Sequence, residues 1–580
     1  MFFIKNLLNC LYLCASGIKR NKSIICRYFI VFIFCLVISA LAKAQEATVK
    51  TFTHADTLRG SITPQRIWWD VLKYDITIHP DYENKTSEGK NTITYKVVSD
   101  NYPPVMQIDL QQPLQIDSIV LNGSIKSNFT KEGNAWFVQL PKQKKNAVSQ
   151  IDIFFHGKPH EAIRAPWDGG WTFTKDSLRR PWMTVTCQGL GASVWYPCKD
   201  HQSDEPDNGA TLSIIVPDTL VAVANGRLHS KTNNANGTTT YKWDVVNPIN
   251  NYDIIPYIGK YVNFSERYNG EKGKLDLNYW VLDYNEGKAK QYMPNEVHNM
   301  LKAFEYWFGP YPFYEDGYKL IDVPHNGMEH QSAVAYGNLY KPGYRQRDVS
   351  GTGWGMKWDF IIVHESGHEW FGNNITSKDI ADMWIHEGFT NYSETLFVEY
   401  MYGKEAANEY NAGSRKSIKN DRPVIAHYGV NEEGSGDMYS KCGNMLHTIR
   451  HSINNDSLFR QILKGLNTTF YHQTVTTKQV EDYISKLAAF NYNKVFDQYL
   501  TTTQIPTLQL KFSSNNKKVS YRWTNCVKGF NLPLVLKNDE TEIKIWPTEN
   551  WKNTDVKDNQ AMLFQKDAIE KMYYIMTEVL

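Results

Sequence analysis

Between about residues 70 and 285, apolar and polar residues alternate along the chain with a period of two. The segment YDITIHP places Tyr74, Ile76 and Ile78 on one face, and NTITYKV, TLSIIVP and TYKWDVV repeat the alternation. Glycine, asparagine and proline separate these segments, as they do in turns between strands. The pattern is typical of strands that bury one face. It predicts a large antiparallel β domain over residues 45–285.

The spacing of apolar residues lengthens after about residue 288. Apolar side chains from Met293 to Phe308 recur at helical spacing, and Gly309-Pro310 predicts the end of that helix. One further strand, YKLIDVP at residues 318–324, precedes a long stretch of mainly helical periodicity. This part of the chain predicts a mainly helical domain over residues 286–504.

Alternation with a period of two returns after Ile505-Pro506, in TLQLKF, VSYRWTN, LPLVLKN and TEIKIWP. These segments predict a small C-terminal β-sandwich over residues 505–580. The three regions together indicate a multidomain α+β protein, with an N-terminal antiparallel β domain, a mainly helical domain and a C-terminal β-sandwich.

Residues 1–44 have the character of a secretory signal peptide. They contain six basic residues and no acidic residue, and YFIVFIFCLVISALA at 28–42 is apolar. Small residues at Ala42 and Ala44 suit cleavage near Ala44. An uncleaved membrane anchor is less favoured, because a helix needs roughly 20 apolar residues to span a bilayer. The leader predicts export to the periplasm or the outside of the cell, with no stable membrane span after cleavage.

The composition narrows the class of protein. The chain of 580 residues has 42% hydrophobic and 21% charged residues, which indicates globular domains and excludes a disordered or multi-span membrane protein. Beyond residue 44 there are 57 basic and 61 acidic residues, so nothing indicates a nucleic-acid partner. Four cysteines remain there, too few for a disulfide scaffold, and the sequence leaves open whether Cys187 and Cys198 form a bridge.

The strongest chemical signal is IIVHESGHEWFGNNIT at residues 361–376. His364 and His368 are four residues apart in a helical run, so both imidazoles project from one face. Glu365 lies between them, where it would reach a water on a metal rather than the metal itself. Glu387 follows 19 residues after His368, on the next predicted helix. Two histidines and a glutamate, with a fourth position open to water, are typical of hydrolytic zinc sites.

Each of these residues also has a structural interpretation. Two histidines on a helix can be satisfied by neighbouring polar groups, and a glutamate on an amphipathic helix is usually solvated. Glu387 gains its weight from its spacing to the histidines and from the residues around it.

Several segments, in order, resemble a known family. HESGHEWFGN, followed by a glutamate inside WIHEGFTNY, is similar to the gluzincin metallopeptidases of the aminopeptidase N and leukotriene hydrolase family. NGMEHQSAVAYGN at 326–338, YSKCGNMLHTIR at 439–450 and CQGLGASVWYPCKDHQSDEPD at 187–207 resemble further segments of that family. The resemblance extends over about residues 70–550, and it implies a short bacterial-type member with a thermolysin-like catalytic domain.

The resemblance implies roles for the residues of the predicted metal site. His364, His368 and Glu387 would hold one Zn²⁺ per chain. Glu365 would act as general base on the attacking water and pass the proton to the leaving amine. Tyr439 would donate a hydrogen bond to the oxyanion, which a phenol can do because it stays protonated at neutral pH.

The resemblance also implies a substrate-binding set. Glu329 would bind the free α-amine of a peptide, and Gln188 would help to position the N-terminal residue from the β domain. Gly327 and Met328 would shape the strand beside the substrate backbone. A carboxylate at a set distance from the zinc would let the site measure the distance from the peptide's terminus.

The chain departs from the family pattern at His330, at His386 and at Cys442, where the family often has glycine. His330 replaces the asparagine of the Gly-x-Met-Glu-Asn motif, so we expect a charge near the amine site that varies with pH. His386 replaces the asparagine before the third ligand, and it should point about 100° away from Glu387 on a helix. It is therefore not expected to bind the metal. Asp382 is expected either to orient a ligand histidine or to lie at a helix N-terminus.

These observations predict an exported zinc aminopeptidase that acts on peptides with a free N-terminus. Alternatives with the same fold are a zinc endopeptidase and an epoxide hydrolase, and a different class is a catalytically silent peptide-binding protein. The sequence does not determine the preferred first residue, the physiological substrate or the oligomeric state.

Overall fold

The computed structural model describes residues 50–580. The predicted signal peptide at 1–44 therefore lies outside the described residues. Residues 54–580 form one unit. Within the described residues, every helix is too short or too polar to cross a bilayer.

The alternating region forms strands, as the spacing predicts. The strands of this region are β1 (Trp69–Asp81), β2 (Thr86–Val97), β3 (Val105–Asp109), β4 (Gln115–Leu121), β5 (Ile125–Lys126), β6 (Phe129–Glu132), β7 (Ala135–Gln139), β8 (Val148–Gly157), β9 (Gly170–Lys175), β10 (Pro181–Thr186), β11 (Ala210–Pro217), β12 (Val221–Val223), β13 (Arg227–Asn233), β14 (Thr238–Val245), β15 (Tyr257–Gly259), β16 (Tyr261–Gly270) and β17 (Gly273–Leu282). A short helix, α1 (His54–Gly60), precedes them.

The largest sheet has eight strands in the order β13-β14-β11-β1-β2-β8-β4-β5. It departs from a purely antiparallel arrangement at one place, because β1 pairs with β11 in parallel, with Tyr74 opposite Ala210. Two smaller sheets, β12-β15-β10-β9 and β3-β7-β6, accompany it. Apolar side chains such as Trp68, Ile76 and Trp195 fill a continuous core within this β-rich domain.

A five-stranded sheet connects the β-rich domain to the helical domain. Its later strands are β18 (Tyr318–Asp322), β19 (Gly327–Met328) and β20 (Val334–Tyr336), and the sheet has the order β16-β17-β18-β20-β19. The strand predicted at 318–324 is thus present. The edge strand β19 carries Met328, whose side chain belongs to the core of the β-rich domain.

The middle of the chain is mainly helical, as predicted. Its elements are α2 (Glu286–Phe308), α3 (Phe360–Gly367), β21 (Ile375–Ser377), α4 (Trp384–Tyr402), α5 (Lys404–Ser414), α6 (Ser440–Ile453), α7 (Asp456–Thr469), β22 (Gln473–Val475), α8 (Thr477–Leu487) and α9 (Asn493–Thr501). The first of these helices ends where the sequence predicts, because Gly309 takes a positive φ of 93° that most side chains disfavour.

The C-terminal region is rich in strands. Its elements are β23 (Thr507–Phe512), β24 (Lys518–Thr524), β25 (Leu534–Lys537), β26 (Glu542–Ile545), β27 (Lys552–Asp555), α10 (Lys566–Met572) and β28 (Met576–Val579). They form a four-stranded sheet, β27-β24-β23-β28, and a two-stranded sheet, β25-β26. Leu508 and Leu510 belong to the same core as Met445 and Ile449 of α6, so this region packs on the helical domain.

One buried ion pair provides a test of this architecture. Arg66 is fully buried, and its Nη2 lies 2.6 Å from Asp109 Oδ2. Replacing it, Arg66→Met, removes one partner of a buried charge pair, and we expect the free energy of unfolding to fall by about 3–5 kcal/mol. Urea unfolding followed by circular dichroism measures the change.

The matched control is the exposed pair of Lys85 and Glu161, whose charged atoms are 2.7 Å apart. Lys85→Met should lower the free energy of unfolding by less than about 1 kcal/mol, because solvent screens the charges. Equal losses in the two variants would contradict a structural role for the buried pair.

Candidate metal centre

Helix α3 brings the two motif histidines together. Asp359 caps the helix, because its Oδ1 accepts a hydrogen bond from the Ile362 amide at 3.1 Å. His364 lies inside the helix and His368 is its C-cap, and their ring centroids are 5.2 Å apart. The helix breaks immediately afterwards at Gly372, which takes a φ of 133°. Because glycine lacks a Cβ, it allows this turn close to the His368 ring.

Helix α4 supplies the third residue of the predicted set. Glu387 Oε2 lies 3.7 Å from His364 Nε2 and 3.4 Å from His368 Nε2. Ligand atoms of a tetrahedral zinc at about 2.0–2.1 Å from the metal lie roughly 3.4 Å from one another. Glu387 Oε2 is buried, and no group among the described residues donates a hydrogen bond to it. The three residues therefore fit a divalent cation.

The other nitrogen of each imidazole has its own acceptor. His364 Nδ1 lies 2.7 Å from Glu394 Oε1, and His368 Nδ1 lies 3.1 Å from the Phe371 carbonyl oxygen. If each Nδ1 carries the proton, each Nε2 is left with its lone pair directed towards Glu387. Imidazoles that bind metals are commonly held in this way.

Sequence reasoning missed Glu394. It lies seven residues after Glu387, so two turns of α4 place both carboxylates on one face, and that spacing was the available signal. Asp382, which the sequence offered as a residue that could orient a ligand histidine, instead accepts a hydrogen bond from Thr477 Oγ1 at 2.6 Å. It lies just before α4. Its position at the start of a helix is the one the structure supports.

Glu365 lies beside the two imidazoles. Polar atoms of His364, Glu365 and His368 all lie within 4.8 Å of one another. Burial raises the pKa of Glu365 to about 7, although the neighbouring histidines oppose the rise. A Cβ on Gly327 would lie only 2.7 Å from Glu365 Oε1 and 2.8 Å from Ile361 Cγ2, so a larger residue on strand β19 would displace the Glu365 side chain.

Glu329 follows β19 and is only 2% exposed. Its Oε1 accepts hydrogen bonds from Tyr252 Oη at 3.2 Å and from the side-chain amide of Gln188. Polar atoms of Glu329, His368 and Glu387 also lie within 4.8 Å of one another. The structure thus brings together the predicted Gln188 and Glu329, at the edge of the metal centre. Burial raises the pKa of Glu329.

Tyr439 precedes α6 and lies beside His364. Its ring centroid is 6.0 Å from that of His364, and both residues line one cavity together with Glu365. Burial raises the pKa of the Tyr439 hydroxyl well above its usual range. The hydroxyl therefore stays protonated at neutral pH and is able to donate a hydrogen bond.

The two histidines that depart from the family pattern lie outside this ligand set. His330 Nδ1 is 2.6 Å from Tyr257 Oη, and burial lowers the pKa of His330 well below its usual value. The expectation of a charge that varies with pH at this position is therefore wrong, because the buried imidazole stays neutral. His386 Nε2 accepts a hydrogen bond from the Ser377 amide at 2.8 Å, consistent with its predicted exclusion from the metal.

Cys187 and Cys198 are both buried free thiols in this structure. The possible bridge between them that the sequence left open is therefore not formed here.

A β-rich domain followed by a helical domain, with two histidines and a glutamate around one centre, is an arrangement typical of zinc metallopeptidases. Residues 292–499 match the Peptidase family M1 domain, and residues 71–252 match the Peptidase M1 N-terminal domain. The chain belongs to peptidase family M1. The resemblance to aminopeptidase N and its relatives is thereby confirmed.

Characterised relatives are distant and longer. The puromycin-sensitive aminopeptidase of Caenorhabditis elegans is 21% identical over 465 residues, which are 75% of this chain and 47% of that protein. Aminopeptidase N of Canis lupus familiaris is 23% identical over 57% of this chain and 35% of that protein. The chain spans about half or less of the length of these relatives.

Solved structures show the same fold. The M1 zinc metallopeptidase of Deinococcus radiodurans superposes with a TM-score of 0.60 at 20% identity, covering 76% of this chain and 95% of that one. A variant of it bound to a Tyr-Ser-Ala substrate superposes with a TM-score of 0.61 at 20% identity, covering 75% and 95%.

The contact between Glu394 and His364 predicts an effect on metal binding. Glu394→Gln removes the charge that polarises the imidazole, and partners of this kind typically contribute about 10- to 100-fold in metal affinity. We expect the affinity for a divalent metal to fall by that factor, as measured by competition with a chromogenic chelator.

Asp382→Asn is the matched control. Asp382 is a buried acid near the start of the same helix, but its carboxylate contacts Thr477 and not the imidazoles. This variant should leave the affinity within about twofold of the native value, an expectation based on the lack of contact. Loss of affinity in the control alone would show that the supporting carboxylate has been wrongly assigned.

Proposed function

We propose that the protein is a zinc-dependent aminopeptidase that hydrolyses the first peptide bond of substrates with a free N-terminus. The observation that carries this proposal is the position of one buried carboxylate, Glu329, at the edge of a cluster that fits a divalent metal. The family and the aminopeptidases among the relatives agree with this reaction.

One zinc ion per chain would be held by His364, His368 and Glu387. Two imidazoles and a carboxylate suit zinc, and the fit rests on the spacing of their atoms and on the buried Glu387 oxygen that lacks a donor among the described residues. When bound, zinc supplies Lewis-acid polarisation of the carbonyl and lowers the pKa of a coordinated water to about 7.

The residues of the chain would then move the proton. Glu365 has a pKa near the operating pH, which suits a group that accepts a proton from the attacking water and returns it to the leaving amine. Tyr439 would donate a hydrogen bond to the oxyanion as it develops on the substrate. Both side chains line the same cavity, so both would be within reach of a peptide bound there.

Specificity for the terminus would come from Glu329. Its carboxylate would pair with the ammonium group of the substrate, while Gln188 and Tyr252 hold it in place. Gly327 and Met328, on the edge strand β19, would lie along the substrate backbone. A blocked N-terminus would leave the buried carboxylate without its partner, and that penalty would exclude the blocked peptide.

The location and domain organisation follow from the sequence. The basic and apolar leader supports export to the periplasm or the outside of the cell, with removal of residues 1–44. The changes of periodicity support boundaries that give domains at 45–285, 286–504 and 505–580.

Removing the proposed general base should slow turnover strongly without emptying the metal site. Glu365→Gln keeps the shape of the side chain but cannot accept the proton, so we expect kcat to fall by about 10²- to 10⁴-fold. The zinc content, measured by atomic absorption, should stay near one ion per chain.

The control for this experiment is Glu305→Gln, at a buried acid that binds Tyr268 and Tyr314 away from the centre. Its activity should match that of the native protein. Unchanged hydrolysis of a leucyl arylamide by the Glu365 variant would exclude the proposed mechanism.

The amine anchor predicts a difference between free and blocked peptides. The native protein should cleave a free pentapeptide and fail on its acetylated form. Glu329→Gln should lower kcat/KM on the free peptide, by a factor that corresponds to a loss of about 2–5 kcal/mol in transition-state stabilisation. Mass spectrometry of the products measures both rates. Cleavage of both peptides at similar rates would instead indicate an endopeptidase.

A further inference from the structure

A cavity of about 310 Å³ opens beside the metal centre. It is lined by His364, Glu365 and Tyr439, whereas Glu329 and Gln188 are not among the described residues that line it. Its volume lies at the lower end of the roughly 300–1,000 Å³ of small-molecule sites. The cavity is thus bordered by the proposed general base and oxyanion donor rather than by the proposed amine anchor.

The direction of a bound peptide follows from this geometry, if the proposed function holds. The ammonium group would lie at Glu329 and the carbonyl of the first residue at the centre of His364, His368 and Glu387. The chain then continues past Glu365 and Tyr439. Because Glu365 and Tyr439 line the cavity, the side chain of the second residue would then face it.

One wall of the cavity is apolar. Phe360 stacks on the His364 ring at 5.2 Å between centroids, and Tyr344 meets Phe360 edge-on, also at 5.2 Å. Val349 extends the same wall. Aromatic and aliphatic surfaces of this kind favour a large apolar side chain over a polar or absent one.

A residue from the β-rich domain completes this lining. Trp167 lies in the connection between β8 and β9, and it borders the cavity although 70% of its surface is exposed. The same connection displays Ile163, which is 87% exposed and is not among the residues that line the cavity. A tryptophan left so exposed at the mouth of a cavity has much apolar surface to bury against a ligand.

Hydrogen bonds hold this connection in one shape. Asp168 Oδ2 accepts hydrogen bonds from the amides of Ile163 and Arg164, at 2.8 and 2.7 Å. The Trp167 amide donates to the Arg164 carbonyl oxygen at 3.1 Å. The indole is thus presented by an ordered turn, so little conformational freedom is lost when a ligand packs on it.

We propose that Trp167 is a specificity-determining residue that packs against the side chain of the second residue of the substrate. It gives the protein a preference for peptides with an aromatic or large aliphatic second residue over peptides with glycine there. This inference rests on the proposed function, because the direction of the peptide depends on the amine anchor.

The test compares Ala-Phe-Ala with Ala-Gly-Ala as substrates. Trp167→Ala should raise KM for Ala-Phe-Ala by about two- to twelve-fold, the range of aromatic contacts, with kcat nearly unchanged. The KM for Ala-Gly-Ala should stay the same, because glycine has no side chain to contact the indole. Trp167→Phe, which retains an aromatic ring, should keep part of the preference for Ala-Phe-Ala over Ala-Gly-Ala. This variant separates the loss of the contact from a general loss of folding.

Ile163→Ala is the matched control, since it removes another exposed apolar side chain from the same turn, one that does not line the cavity. It should leave both substrates unaffected. The inference is overturned if Trp167→Ala changes both peptides equally or neither, or if the control variant gives the same selective effect.

Calorimetry separates this inference from the proposed function. In a Glu365→Gln background, Ala-Phe-Ala should bind more tightly than Ala-Gly-Ala, and adding Trp167→Ala should remove the difference. If the native protein cleaves neither peptide but the difference in binding is present and lost with Trp167, the proposed catalysis fails and the inference stands. Equal binding of the two peptides overturns the inference even if both are cleaved.

Discussion

The site depends on a buried carboxylate oxygen that no donor among the described residues satisfies. Glu387 Oε2 lies between the Nε2 atoms of His364 and His368, away from water. A buried charge without a partner is costly, and a cation among these three atoms would remove that cost. The surrounding structure holds the arrangement by orienting each imidazole from behind, through Glu394 and the Phe371 carbonyl oxygen. The geometry of the candidate metal centre is thus a property of the packed domain as well as of the motif.

The fold places three chain segments around this point. The helix breaks at Gly372, where the backbone turns close to the His368 ring. Helix α4 provides the carboxylates of Glu387 and Glu394. The edge strand β19 approaches so closely that Gly327 has no room for a side chain beside Glu365. Because β19 belongs to a sheet that also includes strands of the β-rich domain, the position of Glu329 depends on both domains. The β-rich domain contributes Gln188 beside Glu329 and an indole beside the cavity.

Most of the fold was predictable from local patterns. Alternation with a period of two marks the strands of the β-rich domain, and the helical spacing up to Gly309 marks the end of α2, because each pattern reflects which face of one element is buried. The parallel pairing of β1 and β11 was not predictable, since a strand shows the same alternation whichever direction its neighbour runs. For the same reason, the pattern of the C-terminal strands does not show that they share a core with α6.

The sequence by itself determined the HESGH motif, the spacing from it to Glu387 and the family, because these are encoded in residues close together or in fixed order along the chain. Only the tertiary structure decided that Glu394 rather than Asp382 supports His364, that His330 is buried and neutral, and that Trp167 borders the cavity. These facts depend on contacts between elements that are far apart in sequence. A periodic pattern specifies which face of an element is buried, but the partner on that face is decided by how all the elements pack.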